Sequence, residues 1–236
     1  MDDSAMAAGL KQKIEQYHPS AATIELVKNT PILLLVGVSG AGKGSIKSKL
    51  LGTDSYHHIV SHTTRKPREN DGVMEQDGRE YHFIDLAEAE RMLDDGAFVE
   101  AKFYSGNVYG TSAVEIKRAH DEEKVAITDI EVQGVAEYET IKPNVKAVFV
   151  LPPSYEIWQE RLQRRYDGNV NATDLERRMM TAKIELQEAL DKNYYRFVIN
   201  DELGKAAKIV DAIAHGSDPE NDEAAKVLAH DILAKL

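Results

Sequence analysis

Three observations in the amino-acid sequence predict an α/β fold, a parallel sheet flanked by helices, with an inserted small lobe and a helical lid. Short apolar runs recur along the chain, helical patterns separate them, and one long stretch breaks that alternation. The first run, Ile32–Val36, is bounded by Pro31 and Gly37 and fits a strand buried on both faces. His58–Val60, Val125–Ile130, Val145–Leu151 and Phe197–Ile199 read as further strands, with helical patterns at Lys43–Leu51, Val132–Thr140, Tyr155–Arg165 and Leu175–Leu190. Residues 62–115 are the exception. Rich in Gly, Tyr and charge, with strand-like pieces at Tyr81–Ile84, Ala97–Phe103 and Val108–Tyr109, they read as a lobe with its own sheet. Residues 5–29 are helical with a break at His18-Pro19-Ser20, and Gly216-Ser217-Asp218-Pro219 precedes a last amphipathic helix. Packing on the core, self-association and free movement all remain open for the N-terminal helices.

Composition narrows the function classes. A chain of 236 residues, 42% hydrophobic and 29% charged, is ordinary for one globular domain with sub-lobes. No apolar run approaches the roughly 20 residues of a spanning helix, so no membrane partner is expected. The opening Met-Asp-Asp-Ser has no basic-then-apolar pattern, and there is no cysteine to form a disulfide, a thiolate metal site or a nucleophile. The cytoplasm is the expected location. A net charge of −11 argues against a nucleic-acid surface, which needs an extended cationic stripe. A small phosphorylated ligand needs only a few focused cations.

Gly37-Val38-Ser39-Gly40-Ala41-Gly42-Lys43-Gly44-Ser45 follows the first strand and opens a helix, which is the setting of a P-loop. Glycines let backbone N–H groups close on phosphate oxygens, the helix N-terminus adds partial positive charge, and Lys43 reaches the β- and γ-phosphates of ATP. The residue after Lys43 is Gly44 rather than Ser or Thr, which leaves Ser45 as the nearest hydroxyl for a magnesium ion. Further on, Arg65 and Arg68 flank Pro67 and can present forked donors to one phosphate.

The run Ser61-His62-Thr63-Thr64-Arg65-Lys66-Pro67-Arg68, then Tyr81-His82-Phe83, Phe98-Val99-Glu100, Ser105–Thr111 and Asp129–Val135, resembles guanylate kinase in content and order. The resemblance covers about residues 31–212. It implies a core at 31–60, 116–157 and 190–212, a GMP-binding lobe at 61–115 and a lid at 158–189, with extensions at 1–30 and 213–236.

By that resemblance Arg65, Arg68, Tyr81 and Tyr109 hold the GMP phosphate, and Glu100 with Ser61 and Thr111 reads the base. The chemistry agrees. Guanine offers N1–H and N2–H₂ as adjacent donors to a carboxylate and O6 as an acceptor to hydroxyls, whereas adenine would set a lone pair against Glu100. Asp129 falls at the acceptor nucleoside or in the metal shell, with Glu131 as an orienting residue. Arg161, Arg165 and Arg178 match lid arginines, leaving Arg164 and Arg177 to pair on the surface with Glu160 or Glu176. The lid tip at 166–173 carries Asn169, Asn171 and Thr173 where the family has Thr and Glu. Asn200, followed by Asp201, matches a strand-end amide beside the ATP adenine.

The implied reaction is ATP + GMP ⇌ ADP + GDP, with Mg²⁺ accompanying ATP. Two other readings stay open: a P-loop kinase with a different acceptor, since residues 69–80 are longer than is usual in the family, and a non-catalytic module of the same fold.

Overall fold

The computed structural model describes residues 3–70, 72–165, 172–217 and 222–236. In chain order the elements are α1 (Asp3–Glu15), α2 (Ala21–Asn29), β1 (Ile32–Val36), α3 (Lys43–Leu51), β2 (Tyr56–His58), β3 (His62–Thr63), β4 (Glu69–Asn70) and β5 (Val73–Met74). There follow β6 (His82–Phe83), α4 (Leu86–Asp94), β7 (Phe98–Tyr104), β8 (Asn107–Ser112), α5 (Ala113–Asp121), β9 (Val125–Asp129) and α6 (Val132–Ile141). The chain ends with β10 (Lys146–Leu151), α7 (Tyr155–Arg165), α8 (Ala172–Leu190), β11 (Tyr195–Ile199), α9 (Leu203–Ala214) and α10 (Asp222–Ala234).

A five-stranded sheet runs in the order β11-β10-β1-β9-β2. Its centre is parallel: Leu33 faces Lys146, and Ala147 faces Tyr195. All of β1 is buried, and β10 is buried apart from Lys146, which is why both read as continuous apolar runs instead of alternating ones. A second sheet, β6-β3-β8-β7, and the hairpin β4–β5 occupy the stretch that broke the alternation. The strand expected at His58–Val60 lies two residues earlier, at Tyr56–His58. Ile59 and Val60 are buried in the connection to β3, so their apolar character marks burial rather than sheet pairing. Among the described residues no helix is long and apolar enough to cross a membrane.

The chain divides into two compact units. One takes in residues up to Pro31, His57–Ala126 and Thr140–Lys142; the other Ile32–Tyr56, Ile127–Glu139 and Pro143–Leu236. In the first, which holds the expected GMP-binding lobe and takes the name acceptor unit from that expectation, Leu10, Ala89, Met92, Leu93, Phe98, Ala101 and Val108 form an apolar core beneath the four-stranded sheet. Glu115 ties it further. This buried carboxylate accepts from the Val60 N–H at 3.3 Å and from Arg118 Nη1 at 2.6 Å, and lies 3.3 Å from His82 Nε2. In the second, the P-loop unit, α10 covers the edge strand β11, and the Asp222 carboxylate accepts the Phe197 N–H at 2.7 Å. Residues 218–219 of the expected break at 216–219, and residues 166–171 of the expected lid tip at 166–173, lie outside those described.

Candidate active site

In the P-loop unit the site begins where β1 ends. Gly37 has φ +136° and lies so close to the Val150 carbonyl that no side chain fits. Gly42, φ +97°, is the N-cap of α3, and a side chain there would collide with the Asn200 amide. The cap is backbone only, so Ser45, exposed in the first turn of α3, is not spent on capping. Its hydroxyl fits a metal ligand on that ground.

Three side chains far along the sequence brace the loop. Asn200, 6% exposed, donates its Nδ2 to the Ala41 carbonyl at 2.8 Å, while its own carbonyl accepts from Arg161 Nη2 at 3.1 Å. Trp158 Nε1 donates to the Ser39 carbonyl at 2.7 Å, and Arg178 Nη1 to Ser39 Oγ at 3.2 Å. The amide expected at the adenine therefore grips the loop itself. Arg178 is half-buried and Arg177 exposed, while Arg164 pairs with Glu160 at 3.5 Å on the helix surface. Arg165 closes α7, and its side chain lies outside the described residues.

Lys43 donates to the Gly37 carbonyl and reaches the Val38 carbonyl at 3.4 Å. Around it lie acidic groups. Asp129, at the end of β9, is ion-paired with Lys47, one turn beyond Lys43 on α3. Burial alone would raise the pKa of Asp129, but Lys47 and Lys43 outweigh it and hold the group below the ordinary carboxylate range. Glu185 on α8 goes the other way. Burial first, then Glu131 and Glu188, push it up to about 7 against the pull of Lys43. Lys47, Trp158 and Glu185 were not singled out from sequence; only Trp158 carried a signal, as the one tryptophan of the chain. Among the described residues no three His, Asp or Glu converge to hold an ion. Ser45 and Asp129 offer one hydroxyl and one carboxylate, oxygen donors of the kind Mg²⁺ takes alongside nucleotide phosphates and water.

In the acceptor unit, Arg65 is 8% exposed and forms a two-pronged pair with Glu75, Nη1 to Oε2 at 2.8 Å and Nη2 to Oε1 at 3.1 Å. Its guanidinium lies 5.2 Å from the centre of the Tyr81 ring and 5.8 Å from that of Phe83. Glu75, and to a lesser degree Tyr109, hold its pKa above the usual arginine value. Tyr81 and Tyr109 meet edge-on at 6.0 Å, so the structure brings Arg65 and both tyrosines together. Arg68 is exposed, and its backbone N–H donates to Glu75 Oε2 at 2.9 Å. Glu75 thus organises both ends of the basic turn, from within the 69–80 stretch whose length alone had drawn attention.

Glu100, 8% exposed, accepts from Thr111 Oγ1 at 2.8 Å across the β7–β8 ladder. Tyr109 and Thr111 stand two apart on β8 and share a face with Glu100. Gly110 between them admits no side chain, because a Cβ would come within 2.7 Å of the Glu100 carbonyl and 2.8 Å of the Phe98 ring. Ser61 leads into β3, and its carbonyl accepts the His82 N–H at 2.9 Å.

The family model for guanylate kinase matches residues 28–215. The chain belongs to the guanylate kinase family. It is 34% identical to a guanylate kinase of Schizosaccharomyces pombe over 196 residues, 82% of this chain and 94% of the relative. A guanylate kinase of Bdellovibrio bacteriovorus is 38% identical over 178 residues, 75% and 92% of the two chains. The crystal structure of a guanylate kinase from Anaplasma phagocytophilum shares the fold with a TM-score of 0.56 at 21% identity, covering 89% of this chain and 97% of that one.

Proposed function

We propose that this member of the family works through the residues just described. The enzyme transfers the γ-phosphoryl group of ATP to GMP, giving ADP and GDP. The observation that carries the assignment of roles is Glu100: a nearly buried carboxylate, held by Thr111, on the same sheet face as Tyr109. A carboxylate so placed matches the N1–H and N2–H₂ donors of guanine and opposes the N1 lone pair of adenine. Ser61 supplies a hydroxyl for O6, while Thr111, whose one O–H goes to Glu100 rather than to the base, steadies that carboxylate; Arg65, Arg68, Tyr81 and Tyr109 take the phosphate. At the donor side residues 37–45 cradle the phosphates of ATP, and Asn200 supports the loop that does so.

No general base is required. A nucleoside monophosphate has a second pKa near 6, so its attacking oxygen is largely ionised at neutral pH. The barrier lies in bringing two polyanions together and in the charge spread over the transferred phosphoryl. Lys43, Arg161, Arg165 and Arg178 answer that charge. Ser45, with Asp129 as a second oxygen donor, is the group of this chain that would hold a divalent cation, which we take to be Mg²⁺, and that ion would supply positive charge against the phosphates of ATP. We place the enzyme in cytoplasmic purine nucleotide metabolism, where both substrates meet.

The experiment is an ADP-release assay with ATP, Mg²⁺ and each of GMP, AMP, CMP and UMP. GMP should exceed AMP by at least about a hundredfold in kcat/KM, since a site built to bond a donor edge rejects one lacking it. Comparable turnover of AMP would overturn the role of Glu100 and favour a kinase with another acceptor.

A further inference from the structure

The N-terminal segment precedes the family match, which begins at residue 28, yet it is built into the acceptor unit. Leu10 of α1 is 1% exposed in the core beneath β7 and β8, with Ile14 and Tyr17 packed against that core. Lys13 reaches Glu90 and Asp94 of α4, each at 2.8 Å. The turn after α1 and the first turn of α2 then bind the chain at Gly96 and Phe98, where it enters β7, by three hydrogen bonds. Thr23 Oγ1 and the Ser20 N–H both donate to the Gly96 carbonyl, at 2.9 and 3.0 Å, and the Tyr17 hydroxyl donates to the Phe98 carbonyl at 2.6 Å. The Tyr17 ring also meets the Phe98 ring edge-on at 6.4 Å.

Phe98 sits where β7 changes face. Phe98 pairs with Ser112, but Glu100 pairs with Thr111, so β7 carries one extra residue between them. In an unbroken strand Phe98 and Glu100, two apart, would share a face. Here Phe98 and Ala101 both lie in the apolar core, with Phe103 packed against it. The extra residue reverses the alternation and turns Glu100 away from that core, which is how bulges re-aim side chains beside active sites. The Tyr17 hydroxyl bonds the carbonyl at this point. Burial, with Glu100 adding to it, raises its pKa to about 12, so it remains a donor at any working pH.

We infer that Tyr17 is a positioning residue for acceptor selection: by bonding the Phe98 carbonyl it fixes the bulge that presents Glu100 to the base. The inference rests on the reading of Glu100 given above. It makes the segment before residue 28 a determinant of nucleotide choice, acting through β7 without touching substrate.

The test uses the full chain and four proteins: wild type, Tyr17→Phe, Thr23→Val and Glu100→Gln. Tyr17→Phe keeps the ring and its packing and removes one hydrogen bond. It should raise KM for GMP about five- to tenfold, the value of one such bond, and narrow the preference for GMP over AMP. Its kcat should stay within about twofold, and KM for ATP should not change. Thr23→Val cuts a tie to Gly96, two residues before β7 and outside the bulge; it should lower Tm and leave KM for GMP alone. If Thr23→Val raised KM for GMP as much as Tyr17→Phe, Tyr17 would be a general support and the inference would be lost. If Glu100→Gln weakened GMP use while Tyr17→Phe matched wild type, the brace would be wrong and the reading of Glu100 would stand. If Glu100→Gln matched wild type as well, that reading would fail with it.

Discussion

In the P-loop unit the groups proposed to meet ligand hang mainly from one uninterrupted segment, residues 37–45, whereas in the acceptor unit they come from the residues just before β3 and β6, the turn between β3 and β4, β7 and β8. The first arrangement relies on backbone N–H groups and one lysine, and the glycines that permit it are local requirements such as the left-handed φ of Gly42. The second relies on side chains that hold one another: Glu75 on Arg65, Thr111 on Glu100, Tyr81 against Tyr109. A loop of this kind loses its function when one residue is removed. A network loses it by degrees, because neighbouring groups share the load.

The largest effect should therefore come from Lys43→Ala. Loss of the one side-chain cation in the loop should lower kcat by about a thousandfold or more, the scale of removing a preorganised transition-state contact. Because Lys43 also bonds the Gly37 carbonyl, thermal unfolding should be followed in parallel. A Tm within a few degrees of wild type with activity gone supports the assignment, and retained turnover contradicts it. No single phosphate-binding change in the acceptor unit, Arg68→Ala included, should approach that loss in kcat; its effect belongs in KM for GMP.

The same contrast decides what could be read from the sequence. Buried parallel strands, the helix after the glycine loop and the helix Tyr155–Arg165 were legible because each is a contiguous pattern. The acceptor lobe announced itself only as an interruption, for its strands β3 and β6 are two residues each, too short for any periodicity to show. Glu115 looks in sequence like any helix-surface acid, yet it is buried between His82, Arg118 and the Val60 N–H. Glu75 and Asn200 were visible as residues, while their grip on Arg65 and on the Ala41 carbonyl depends on partners brought near by folding. The bulge at Phe98–Glu100 was invisible for a related reason. A strand read by alternation places both residues on one face, and only the pairing with β8 shows that they differ.

The two units should also answer pH in opposite directions. In the acceptor unit His62 is pushed down to about 4, by burial first and then by His82 and Arg118, against the pull of Glu115 and Asp77. Its folded pKa lies below the ordinary 6.5, so stability is full above that value and is lost as pH falls toward 4. Glu185 in the P-loop unit is raised from 4.5 to about 7, so the folded state binds its proton more tightly. Its contribution is full below pH 4.5 and is lost as pH rises toward 7. Measured as the Tm of variant minus wild type, Glu185→Gln should gain a few degrees between pH 4.5 and 8, and His62→Gln should lose a few across the same range. Parallel slopes for the two variants would mean that neither group titrates where its surroundings place it.

The smallest effect sharpens the comparison at the chain ends. The N-terminal segment reaches the candidate site through Tyr17, whereas the C-terminal helix meets the sheet at its edge strand, where Asp222 caps the Phe197 N–H at 2.7 Å and pairs with Lys226 at 2.6 Å. β11 is the outer strand of its sheet, so that N–H has no neighbouring strand to bond on its open side. Asp222→Ala should cost about 1–2 kcal/mol for the orphaned donor, a fall in Tm of roughly 2–8 °C. Asp222→Asn, which keeps an acceptor oxygen, should recover most of it. Both variants should retain wild-type KM values for ATP and GMP, because the residue that bonds the P-loop, Asn200, lies beyond the last residue of β11 and three positions from Phe197. A raised KM for ATP in Asp222→Ala would show that the sheet edge transmits to the loop, and the division of labour between the two ends of the chain would have to be abandoned.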